Sequence, residues 1–206
     1  MSAEIYKIQI EEPSIQIAFQ GKQCVDFYEP QKLFPIEMLA FENIRQEGRQ
    51  VEFLGIRNLR DFLALQSPIH YQESGKPYIG NDAHSFISIS HSKNYCALSV
   101  GVVEMGIDIE EISERIERIS ERFVHPEEME FIEQDRLTGL TRLWTMKEAM
   151  FKLNARTGIE FKTELRIEST EGSRFIGRML TSSGWKNVVV ECFQHEQLIL
   201  SICRYQ

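Results

Sequence analysis

The order of elements legible in the sequence predicts an α+β fold made of two successive α+β halves, 1–103 and 104–206. Helical periodicity is followed by a run of short strand-like segments, and that order occurs twice along the chain. Strands grouped behind a helix favour segregated α+β layers over a parallel sheet with alternating crossovers. No stretch rich in Gly, Ser or Pro divides the halves, so they are expected to pack as one unit. The segment HSKNYCALSVG in the first half has a loose counterpart in QHEQLILSICR in the second.

Each element has its own signal. Ile5–Ile10 and Ile15–Phe19 alternate as strands and flank the turn EEPS, which predicts a hairpin. From Pro35 to Leu65 the residues Ile36, Leu39, Ala40, Ile44, Val51, Leu54, Leu59, Phe62 and Leu63 recur at helical spacing, which predicts one or two helices with weak points at Gly48 and Gly55. Three or four short strands follow, through SPIHYQESGKPYIG, SFISIS, NYCALSVGVV and GIDIE. Arg115–Gln134 is charged and amphipathic, and HPEE reads as a helix start with Pro126 at the first helical position. A helix is predicted over Thr141–Asn154, and strands return in TELRIES, SRFIGRML, NVVVECF and QLILSICR.

Composition bounds the class of protein. The chain has 206 residues, 42% of them apolar, which suits a globular protein rather than a disordered one. The longest apolar runs, such as Cys96–Val103, fall far short of the roughly 20 residues a membrane helix needs. The N-terminus alternates like a strand and lacks a basic segment followed by an apolar one, so the expectation is a cytoplasmic protein without a secretory leader. A net charge of −8 argues against nucleic acid as the main partner. Cys24, Cys96, Cys192 and Cys203 show no metal or redox spacing and read as buried reduced thiols.

Four short motifs carry chemistry. In GIDIE, strand alternation sends Ile107 and Ile109 to one face and Asp108 and Glu110 to the other. Two carboxylates roughly 4 Å apart repel by about 4 kcal/mol at an effective dielectric near 20, so a proton, a basic side chain or a cation must compensate. Paired hard oxygens with room for water suit Mg²⁺; equally, the acids of this segment could simply favour the start of the next helix. In RLWTMKEAMFK, Glu148 and Lys152 are four apart and share a helix face. That spacing fits either an ordinary ion pair worth about 0.2–0.5 kcal/mol or a third carboxylate beside a phosphate-seeking cation. SISHSKN places Ser90, His91 and Ser92 at a strand end, a set of phosphate donors or one satisfied structural histidine. It lacks the nucleophile-elbow pattern of a serine hydrolase. ESGKPYIG presents Lys76 in a turn between Gly75 and Pro77.

In this order, GKPYIG, SISHS, GIDIE and WTMKEAMFK resemble the signature motifs of the 4′-phosphopantetheinyl transferase superfamily, in its larger single-chain, surfactin-synthetase-activating branch. Asp108 and Glu148 lie 40 residues apart. The likeness is strongest from Gly75 to Lys152 and looser over EGRQVEFLGIRNLRDFL. It implies two similar α+β subdomains related by a pseudo-twofold axis, with the active site at their junction, in a monomer. It implies a transferase of the holo-[acyl-carrier-protein] synthase type, which moves the phosphopantetheine arm of coenzyme A to a serine of an apo carrier protein, releases adenosine 3′,5′-bisphosphate and depends on Mg²⁺. By resemblance, Asp108, Glu110 and Glu148 surround the metal, Glu148 is the base and Lys152 stabilises the transferred or leaving phosphate. Lys76, Ser90 and His91 match positions that contact coenzyme A phosphates, and Arg49 and Arg57 fall near positions that reach its nucleotide end. The segment Ile112–Leu140 would lie near the acceptor, where Arg115, Arg118 and Arg122 would meet an acidic carrier helix or stay solvated. Two other readings use the same residues: a non-catalytic coenzyme A or nucleotide binding module, and a Mg²⁺-dependent phosphohydrolase.

Overall fold

The computed structural model describes residues 4–80, 85–132, 135–154, 156–171 and 174–206, with the backbone alone at 26 and 27. Residues 133, 134 and 173, to which the sequence-based assignments extended, lie outside these. The chain divides into two compact units, Met1–Val103 and Glu104–Gln206. Both are α+β, with antiparallel pairing throughout their sheets.

The first unit opens with the expected hairpin, β1 (Ile5–Ile10) and β2 (Ile15–Gly21), in a register that pairs Ile8 with Ile17. Two short 3₁₀ turns lead to α1 (Pro35–Glu42), which has proline in its first turn, and then to α2 (Glu47–Phe62). A small ribbon of β3 (Ile69–Tyr71) and β4 (Pro77–Ile79) precedes β5 (Phe86–His91) and β6 (Tyr95–Gly101). The main sheet runs β1-β2-β6-β5, and α2 packs on β2 and β6. Ile56, Leu59 and Leu63 from the helix side meet Ala18, Ile87, Cys96 and Leu98 in one core. Gly55 lies inside α2 rather than ending it, because the helix presses on the sheet there: a Cβ would stand 3.0 Å from the Cys96 sulfur.

A buried ionic knot ties this unit together. The Glu37 carboxylate of α1 accepts from Arg57 Nε at 3.1 Å, from Arg60 Nη1, and from the Ile69 backbone N–H at 3.1 Å. The Arg57 guanidinium also lies 3.5 Å from the centroid of the Phe53 ring. A carboxylate this deep persists only when its oxygens are met by donors, and here both helices and β3 supply them.

The second unit contains β7 (Met105–Glu111), α3 (Glu114–Ile119), α4 (Arg136–Asn154), the single turn α5 (Phe161–Glu164), and β8 (Leu165–Glu171), β9 (Arg174–Thr181), β10 (Gly184–His195) and β11 (Leu198–Tyr205). The sheet order β7-β11-β10-β9-β8 sets the first strand beside the last. Helix α4 lies on β7 and β11, where Leu140, Leu143, Met146, Ala149, Met150 and Leu153 join Ile116, Phe123, Leu165, Ile167, Met179, Val188, Val190 and Cys203.

Two boundaries differ from those predicted. The amphipathic stretch after Arg115 is α3 followed by two 3₁₀ turns, Ser120–Arg122 and Pro126–Phe131. Pro126 does head its turn, but the turn is 3₁₀: the carboxylate of Glu128 is drawn inward and caps the His125 N–H at 2.8 Å. Helix α4 begins at Arg136 instead of Thr141, since Asp135 Oδ2 accepts from the Thr138 hydroxyl at 2.5 Å and supports the first turn. The cysteines are free thiols; Cys96 and Cys203 are buried, Cys24 and Cys192 partly so, and burial pushes the Cys96 and Cys192 thiols up to about 12. Among the described residues no helix is long and apolar enough to cross a membrane.

Candidate active site

In the second unit the acidic strand β7 meets α4, and a glycine decides how closely. Gly106, Asp108 and Glu110 share one strand face by alternation. A Cβ on Gly106 would fall 2.1 Å from the Ala149 carbonyl oxygen and 2.6 Å from the Leu153 nitrogen, both on the α4 backbone. Strand and helix therefore touch main chain to main chain, and Asp108, two residues on, is brought under the α4 face that carries Lys152. Lys152 Nζ donates to Asp108 Oδ1 at 2.8 Å, with the aspartate side chain 8% exposed. Glu110, one step further out, accepts from Arg115 Nη2 at 2.6 Å. Ile107 and Ile109 on the opposite strand face are fully buried.

Electrostatics couple the three acids. Burial, then the charge of Asp108, pushes the Glu148 carboxyl up to about 7; Lys152 and Arg115 oppose this and Glu110 adds to it. Glu110 is raised as well, by burial and then by Asp108. In both glutamates burial is the larger cause and the neighbouring Asp108 charge the next, a combination that recurs at functional sites. The donors are all carboxylate oxygens, the chemistry of a hard divalent cation such as Mg²⁺. Among the described residues no three His, Cys, Asp or Glu side chains already stand as a ligand cluster.

The first unit holds the other candidate residues. Lys76 follows the β3–β4 turn, in which Gly75 adopts φ +84° and the Gln72 N–H donates to the Lys76 carbonyl at 2.9 Å. Ser90 and His91 end β5 on opposite faces: Ser90 is 2% exposed, whereas the His91 side chain is 42% exposed with Nδ1 3.5 Å from Glu52 Oε1. Glu52 of α2 also takes Lys22 Nζ at 2.8 Å and Arg49 Nη1 at 3.1 Å. Burial would raise the Glu52 carboxyl, but the Lys22 hydrogen bond and the charges of His91, Lys22 and Arg49 outweigh it and hold the group below the usual range. Three basic groups around one acid form a local positive cluster on a chain that is acidic overall. Arg57 does not belong to it. At 2% exposure, bonded to Glu37 and stacked on Phe53, it is part of the interior, which corrects its assignment as a nucleotide contact.

Sequence reasoning missed four residues: Gly106, Lys22, Glu52 and the buried Lys147. Gly106 had a readable signal, a glycine two before Asp108 on the same strand face. Lys22 and Glu52 had none, because they meet only through packing of α2 against the segment after β2.

Comparison with known proteins adds independent information. Residues 104–203 match the family model of the 4′-phosphopantetheinyl transferase superfamily. The chain is 34% identical over 84 residues to the 4′-phosphopantetheinyl transferase gsp of Aneurinibacillus migulanus, a match covering 39% of this chain and 35% of that protein. It is 34% identical over 97 residues to a putative 4′-phosphopantetheinyl transferase of Haemophilus influenzae, covering 43% of this chain and 41% of that one. The matches thus span well under half the length of these relatives. The matched family segment contains β7, α4 and the acids Asp108, Glu110 and Glu148, and over that segment the second unit is similar to the 4′-phosphopantetheinyl transferase superfamily.

Proposed function

We propose that the protein transfers the phosphopantetheine arm of coenzyme A to a serine hydroxyl of an apo carrier protein and releases adenosine 3′,5′-bisphosphate. The observation that supports this best is the junction of β7 with α4, where Gly106 lets Asp108, Glu148 and Lys152 share one small partly buried space.

Glu148 suits the base. Burial beside Asp108 raises its carboxyl to about 7, in the range that suits accepting a proton in a transition state. It would take the proton from the serine as the oxygen bonds to the phosphorus bearing the pantetheine arm, while the bond to the departing bisphosphate breaks. Lys152 would present its ammonium to the transferred or leaving phosphate, where charge neutralisation counts most. Asp108, Glu110 and Glu148 would hold Mg²⁺, which when bound polarises phosphoryl oxygens and relieves the repulsion among the acids. In the first unit Arg49, His91 and Lys76 would supply positive charge to coenzyme A phosphates, and Ser90 a hydroxyl. The remaining expectations, a cytoplasmic location among them, follow the family.

The test is to incubate the protein with coenzyme A, Mg²⁺ and a panel of apo carriers of fatty-acid, polyketide, peptide-synthetase and lysine-pathway type, then weigh each carrier by intact mass spectrometry. A gain of one phosphopantetheine group on at least one carrier is the expected result. No gain on any of them overturns the proposal. Bisphosphate release without a carrier would instead indicate a phosphohydrolase, and coenzyme A binding with neither reaction a non-catalytic module.

A further inference from the structure

The residue immediately before Glu148 is the most deeply buried lysine among the described residues, and the proposed chemistry does not use it. Lys147 Nζ is 2.7 Å from Glu128 Oε2, with both side chains 0% exposed, and donates to the carbonyls of Phe123 at 2.6 Å and Phe161 at 3.0 Å. All three ammonium donors are thereby used. Glu128 in turn caps the His125 N–H at 2.8 Å and receives the Ile167 N–H at 2.9 Å. One ion pair thus ties α4 to both 3₁₀ turns, to α5 and to β8.

Hydrophobic packing does not require this arrangement. Leu143, Met146 and Met150 already bury α4 in the core, and uncharged residues at 147 and 128 together would avoid the desolvation of two charges. Replacing a buried ion pair by apolar groups is often neutral or stabilising. What an apolar side chain lacks is direction: three bonds to three separate segments define both the rotation of α4 about its axis and its position along it. Those two parameters decide where Glu148 and Lys152 stand relative to Asp108.

We infer that Lys147, with Glu128, is a positioning residue that sets the rotation and axial placement of α4, and so the catalytic geometry of Glu148. The inference rests on the proposed transfer reaction for its kinetic readout, although the structural tie stands apart from it. A displacement of about 1 Å in a reacting group is enough to cost on the order of a hundredfold in rate.

Lys147→Met alone would leave the buried Glu128 charge only the distant Arg166 Nε as a cation, at 3.9 Å, and risks unfolding. The informative variant is therefore the neutral pair Lys147→Met/Glu128→Gln, in which the glutamine retains a carbonyl for a backbone N–H. The expected result is a folded protein with a single cooperative melting transition, kcat for carrier modification lowered about tenfold or more, and KM for coenzyme A unchanged. A folded double variant with kcat within about twofold of wild type would reduce the pair to a purely structural role and overturn the inference. Amide hydrogen exchange gives a readout that needs no activity. Faster exchange confined to α4 from Lys147 to Leu153 and to the 3₁₀ turn at Pro126–Phe131 supports the inference, and unchanged exchange there overturns it. If the wild-type protein modifies no carrier, the functional proposal fails, and the exchange experiment still decides about the pair.

Discussion

As the proposed base, Glu148 would ionise in a place that resists ionisation, and this has a measurable cost. Its carboxyl is raised to about 7 from an ordinary value of 4.5, so the folded protein holds this proton more tightly than the unfolded chain. Between those two values stability contributed by this group falls as pH rises, and above about 7 the loss is complete, on the order of 3 kcal/mol. We expect Glu148→Gln, with metal removed by EDTA, to gain stability relative to wild type progressively from about pH 4.5 to 7 and to hold that gain above. Urea melts at a series of pH values would show it, and a difference independent of pH would mean Glu148 ionises normally. In the transfer assay the same variant is expected to lose activity by about a hundredfold or more, the range for removal of a general base. Near-normal turnover would remove Glu148 from that role.

At the scale of elements, two contacts hold the sites in place. The close approach of β7 and α4 depends on the absence of a side chain at Gly106, where an added Cβ would meet helix backbone, which cannot rotate away. Gly106→Ala is therefore expected to cost about 1–3 kcal/mol or more by overpacking, with transfer reduced beyond what the lost stability explains. Chemical denaturation alongside kinetics at low temperature would check both. In the first unit, Glu37 joins α1, α2 and β3 through Arg57, Arg60 and the Ile69 N–H. Breaking one side of such a buried pair is expected to cost about 3–5 kcal/mol, so Arg57→Ala should lower the melting temperature clearly. If Arg57→Ala instead left stability intact and weakened coenzyme A binding, its place among the ligand contacts would be restored.

For the whole molecule, metal binding should appear as stability. A ligand that binds only the folded state adds roughly 2.7 kcal/mol at a hundred times its dissociation constant, which is several degrees for a chain of this size. Titrating Mg²⁺ into metal-free protein is expected to raise the melting temperature, and Asp108→Asn should abolish most of the rise. An equal rise in the variant would place the ion elsewhere. Overall charge bears on the proposed partner too: with a net charge of −8, recognition of coenzyme A phosphates would depend on local groups such as the Lys22, Arg49 and His91 cluster around Glu52.

Much of this was decided by the sequence alone, for identifiable reasons. Strands announced themselves by period-two alternation and helices by three-to-four spacing, because those periods are properties of the local backbone; hence the hairpin, α2, α4 and all four strands after α5 were legible. GIDIE likewise placed Asp108 and Glu110 on one face before any packing was known. Tertiary structure decided the rest, where the outcome depends on residues distant in the chain. It turned Lys152 toward Asp108, 44 positions away, and drew Arg57 inside to Glu37. It converted the Pro126 segment to a 3₁₀ turn by pulling Glu128 to Lys147, and it raised the Glu148 carboxyl by burial that no local pattern encodes. A strand face is written in neighbouring residues, whereas the charge environment at that face is set by what the folded chain brings against it.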